Sequence, residues 1–155
     1  MNTDQKYSKQ FVFLSAALTG FDQTELLGTG LIEEYYQQVV SAVGEAISHE
    51  LWTIAQNLNK HTGTDLDDMI RRELMGSPKF GPIARNIIQL WYWGSWIELP
   101  QIWRNQYGTN PQQYETRFTS PAAYQEGLIW KAMFTHPQGA KQPGFGSWSK
   151  PPLNV

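Results

Sequence analysis

From Phe80 to Trp103 the chain reads FGPIARNIIQLWYWGSWIELPQIW. Ile83, Ile87, Leu90, Trp91 and Gly94 recur at helical spacing and fall on one face. Gly81-Pro82 marks the start, because proline at the first helical position gives up an N–H that has no intrahelical partner. The other side is not polar: Ala84, Ile88, Tyr92 and Ile97 occupy it, and Trp93 and Trp96 help fill the gap. A helix that is apolar all round is buried all round. Two arrangements satisfy this: a central core helix, or a helix whose second face meets a partner. In the second arrangement Trp93, Trp96 and Trp103 form part of the partner interface. Glu98 and Pro100 interrupt the run, which is too short to span a membrane, a task that takes about 20 apolar residues.

The same periodicity runs through most of the chain. Residues 1–10 are polar and expected to fray. Phe11, Leu14, Ala17 and Leu18 share a face, and Gly20 suits a C-terminal cap. Asp22 and Glu25 have capping-box spacing. Helices are expected across Leu31–Val43 and about Glu45–Leu58. A further helix opens at Thr64 or Asp65, with Asp65, Asp67 and Asp68 in its first turn, and runs to about Leu74. Arg104–Thr119 reads as an irregular linker. Ser120-Pro121 caps a helix over Ala122–Met133. No segment shows sustained strand alternation. The expectation is one all-α domain, a small bundle of about five or six helices over residues 1–133.

Residues 134–155 change character. Four prolines and three glycines punctuate FTHPQGAKQPGFGSWSKPPLNV, so the run is neither helix nor sheet interior. It reads as an extended C-terminal arm. Phe145 and Trp148, spaced three apart, look like anchors for pockets on another surface, with Pro143, Gly144 and Gly146 shaping the backbone between. The alternative is an arm that lies back over its own helices.

Composition sharpens this. Charged residues make up 17% of the chain and aromatics 14%. Few charges and many aromatics fit a surface partly committed to a partner. There is no cysteine, which removes disulfides, thiolate metal sites and cysteine nucleophiles together. Net charge is −2, so nothing argues for nucleic acid. Residues 1–77 carry 5 Lys/Arg against 11 Asp/Glu, a net −6, and residues 78–155 carry 7 against 3, a net +4.

Catalytic patterns are missing. His49-Glu50 opens like a zincin helix, but Thr53 stands where the second histidine belongs. His49, His61 and His136 lie in no metal spacing. Gly28-Thr-Gly30 lacks a third glycine and a preceding strand. Ser15, Ser41 and Ser48 have no nucleophile-elbow context. No residue is assigned a catalytic, cofactor-binding or metal role.

Four blocks carry a resemblance: Phe11-Val-Phe-Leu-Ser-Ala-Ala-Leu-Thr-Gly-Phe21, Leu90-Trp-Tyr-Trp-Gly-Ser-Trp96, Ser120-Pro-Ala-Ala-Tyr-Gln-Glu-Gly-Leu-Ile-Trp130 and the tail Pro137–Pro152. Through them nearly the whole chain resembles the small subunit of bacterial membrane-bound, FAD-dependent sugar and polyol dehydrogenases. The first block is generic; the aromatic block and the tail are specific. The resemblance implies a non-catalytic subunit with no cofactor of its own. Its implied partner is a large subunit that holds FAD and oxidises the sugar. A multihaem cytochrome c subunit then passes electrons to membrane quinone. It also implies help in folding the large subunit and in carrying it to the periplasm on a twin-arginine leader. No twin-arginine pair opens this sequence, so the export role is an expectation separate from the subunit role. Two other readings come from other classes: a small standalone enzyme with a Trp-lined ligand pocket, and a general scaffold or chaperone without an oxidoreductase partner.

Overall fold

A computed structural model describes residues 3–108 and 115–137, with side chains from residue 7 onward. The expected arm anchors Pro143, Gly144, Phe145, Gly146 and Trp148 lie outside the described residues. The fold is all-α.

The first helix, α1 (Thr3–Thr19), is longer than its apolar run: residues expected to fray continue it toward the N-terminus. Phe11, Leu14 and Ser15 on it are fully buried. Gly20, in the left-handed region at φ 78°, ends it, and its N–H donates to the Ala16 carbonyl at 3.0 Å. The Asp22–Glu25 capping box is formed and opens α2 (Gln23–Gly28). Thr29 and Gly30 break the chain before α3 (Ile32–Val43), which is followed by α4 (Glu45–Leu58). Next comes α5 (Gly63–Met69), which starts after Thr62 rather than at a Thr64 or Asp65 cap, and runs on into a π-helical turn over Ile70–Met75. The i→i+5 bonding widens that turn, and Ile70 and Leu74 are both buried there.

The aromatic helix, α6, spans Gly81–Trp93 and begins with proline in its first turn, as the sequence requires. Its buried residues are Gly81, Ile83, Ala84, Asn86, Ile87, Leu90 and Trp91. It stops ten residues short of Trp103, because Gly94 turns left-handed at φ 67°. Beyond it lie β1 (Ser95–Trp96), α7 (Gln101–Tyr107), β2 (Arg117–Phe118), α8 (Pro121–Glu126) and α9 (Leu128–Ala132). The expected linker therefore contains a helix and a strand, and the expected last helix is split at Gly127. β1 and β2 pair antiparallel, with Ser95 opposite Phe118 and Trp96 opposite Arg117.

α1 packs against α2, α3, α4 and α6. Phe11 sits among three rings that those helices supply: Tyr36 at 6.1 Å, Trp52 at 5.7 Å and Trp91 at 6.3 Å between centroids. Tyr35 meets Trp91 edge-on at 4.8 Å. The core is thus an aromatic cluster nucleated on α1, with α6 as one wall. Burial pushes the Tyr35 phenol far above its ordinary pKa, and the carboxylates of Glu34 and Glu126 add to the push.

Candidate functional site

Two of the three tryptophans expected at an interface belong to the core. Trp96 is fully buried and Trp103 nearly so. The helical wheel placed Trp96 on an outer face, but the left-handed turn at Gly94 ends the wheel three residues earlier and folds Trp96 inward on β1. Trp103 donates its indole N–H to the Lys79 carbonyl at 2.7 Å, which ties α7 to the start of α6. Trp93 is the exception, with 56% of its surface exposed.

Trp93 stands at one wall of a groove of about 690 Å³ between the end of α6, the two short strands and the start of α8. Ile97, Phe118 and Tyr124 line the same groove and are themselves exposed. Gln89, Ser95, Thr116 and Ser120 add polar atoms. Among the described residues no charged one lines it. The sequence places Trp93 and Ile97 on the second face of the aromatic stretch but gives no sign of Phe118 and Tyr124, which reach the groove from β2 and α8.

The groove's frame is pinned by specific hydrogen bonds and close backbone contacts. The buried Asn86 side chain clamps Ile97 from both sides: its amide N–H donates to the Ile97 carbonyl at 2.9 Å, and its oxygen accepts the Ile97 N–H at 2.8 Å. The Thr119 N–H and hydroxyl both donate to the Gly94 carbonyl, at 3.0 and 2.8 Å. Ser120 caps α8 by accepting the Ala123 N–H at 3.1 Å. A Cβ on Gly94 would lie 2.8 Å from the Ala123 Cβ, and one on Gly127 would lie 2.8 Å from the Tyr92 carbonyl, so both glycines permit backbone contact between α6 and the α8–α9 pair. Trp130 donates to the Tyr124 carbonyl at 2.6 Å and holds the far wall.

A second depression of about 320 Å³ holds Tyr7, Glu45, Ser48 and His49. Ser48 donates its hydroxyl to the Glu45 carbonyl at 2.9 Å, and His49 meets the Tyr7 ring edge-on at 5.2 Å. Neither contact is a nucleophile–base hydrogen bond of the kind acyl transfer needs. His61, just before α5, pairs with Asp65 in its first turn at 2.5 Å, on the exposed surface. Among the described residues no group of three metal-ligating side chains converges, and no helix is long and apolar enough to cross a membrane. The Trp93 groove is suited instead to excluding water against another apolar surface. No family model, curated protein or solved structure matches the chain.

Proposed function

We propose that this chain is a non-catalytic subunit that binds, stabilises and helps assemble the FAD-containing catalytic subunit of a membrane-bound sugar or polyol dehydrogenase. The observation that carries the subunit role is the groove at Trp93, which no charged residue lines among the described residues: exposed tryptophan, isoleucine, phenylalanine and tyrosine on one hydrogen-bonded frame. Apolar side chains gathered on one face mark an interaction site where the same residues scattered would not. A preformed frame also lowers the ordering cost of association. The nature of the partner rests on the resemblance carried by Leu90–Trp96, Ser120–Trp130 and the Pro137–Pro152 tail. In this reading FAD sits in the large subunit, haem c in the cytochrome subunit, and the assembly faces the periplasm.

Affinity capture of the tagged full-length chain from its source cells tests the reading. The expected product is a yellow complex with flavin absorbance near one flavin per chain and sugar-dependent reduction of an artificial electron acceptor. A chain recovered without flavin, or turning over sugar alone, overturns it.

A further inference from the structure

The exposed edge of α6 carries Arg85, Gln89 and Trp93 at four-residue steps, so the three side chains stand in line over two turns, about 12 Å. Three depressions flank this ridge. The Trp93 groove lies on one side. On the other is a depression of about 400 Å³ floored by Leu18, Ile88 and Tyr92. At the N-terminal end is a smaller one of about 190 Å³ beside Pro82, Ile97 and Pro100. Gln89 borders all three; Trp93 borders the first two and Arg85 the last two. A partner that fills these depressions must therefore sit astride the ridge.

The charges around it are unbalanced. Among the described residues, Arg85 and Glu98 are the only charged ones that border the three depressions. Glu98 is already ion-paired with Arg104. Arg85 makes no ion pair among the described residues. Its guanidinium also points back toward Gly81, with Nη2 3.4 Å from where a Cβ would stand. That is the positive end of α6, and the helix has no acidic residue in its first turn. The guanidinium and the positive helix end thus reinforce each other on a surface whose other bordering charge, Glu98, is already paired, and covering it with a neutral face would leave a cation buried without a counterion.

Resting on the reading above, we infer that the large flavoprotein subunit docks astride the α6 ridge, with an apolar socket over Trp93 and a carboxylate against Arg85. Tryptophan and arginine are the side chains most often found to dominate interface energetics. Trp93 provides the apolar anchor. Arg85 fixes the register along the ridge and steers encounter.

The test compares tagged full-length wild type with Trp93→Ala, Arg85→Glu, Arg85→Gln and the control charge reversal Arg72→Glu, which lies on the exposed face of the π-helical turn. Captured flavin per mole of tagged chain is read at low and high salt, alongside circular dichroism and melting of each purified chain. Trp93→Ala and Arg85→Glu are expected to lower captured flavin at least tenfold, and Arg85→Gln about threefold. The Arg85 effect should shrink at high salt. Arg72→Glu should match wild type, and all four chains should melt as wild type does. If wild type captures flavin and the ridge variants capture it equally, the docking surface is elsewhere and this inference fails while the subunit reading stands. If wild type captures none, both fail. A melting temperature lowered by Trp93→Ala in the isolated chain means that the chain itself covers the groove. A wild-type dimer that Trp93→Ala splits means that a second copy does. Either result overturns the inference.

Discussion

Trp91 and Trp93 stand two positions apart on α6 and meet opposite surroundings. Trp91 is fully buried, between Phe11 and the edge of Tyr35. Trp93 is more than half exposed. Trp91→Ala should destabilise the isolated chain by about 3–5 kcal/mol, the usual cost of emptying a large aromatic site. Trp93→Ala should stay within about 0.5 kcal/mol of wild type, as surface substitutions do. Urea unfolding of the two variants checks both. Asn86→Ala would strip the Ile97 N–H and carbonyl of their partners. A buried polar group left unpaired costs about 1–3 kcal/mol, so a loss near 2 kcal/mol and faster hydrogen exchange at the Ile97 amide are expected. Tyr35 gives a pH signature. Its pKa is raised in the folded state by burial above all, so above pH 10 the unfolded chain releases a proton that the folded chain keeps. Its stabilising contribution is therefore full below the unfolded pKa of about 10 and is lost as pH rises, with a slope of up to about 1.4 kcal/mol per pH unit. Urea midpoints between pH 9 and 11 should fall less steeply in Tyr35→Phe than in wild type.

At the scale of elements, local chemistry was legible and chain reversal was not. The capping box at Asp22, the stop at Gly20, the proline start of α6 and the Ser120 cap each follow from one residue's hydrogen bonding or backbone freedom. The buried stripe Ile83, Ile87, Leu90 and Trp91 follows from helical spacing. Trp96 falls on the wrong face when the same spacing is carried through Gly94, which the sequence offers equally as a helix residue or a stop. What decides is tertiary: Thr119 claims the Gly94 carbonyl, and Ala123 leaves no room for a side chain there. β1 and β2 were invisible, since two-residue strands hold no alternation to read. The groove inherits that gap, because Phe118 reaches Trp93 only through the pairing of those strands. Gly94→Ala tests the stop. A Cβ at positive φ costs about 1–2 kcal/mol, and crowding against Ala123 adds about 1–3 kcal/mol. A melting shift of that combined size is expected, together with weakened capture of flavin even where the chain stays folded.

Across the whole molecule the most generic stretch holds the centre. Phe11–Leu18 looked unspecific as sequence, yet Phe11 touches rings supplied by α3, α4 and α6. Those rings come from positions 36, 52 and 91, so the core closes on a residue that precedes its last wall by 80 positions. During synthesis at about 5–20 residues per second, Phe11 leaves the ribosome roughly 4–16 s before Trp91 does. Through that interval α1 has an apolar face and no complete site to bury it in. A fragment ending at Ser77 should accordingly show helical far-ultraviolet circular dichroism, little near-ultraviolet signal and dye binding at exposed apolar surface, the marks of a collapsed but unpacked state. Extending the fragment through Trp93 should bring the near-ultraviolet signal in. The nascent chain is therefore most in need of protection while α6 is still being made.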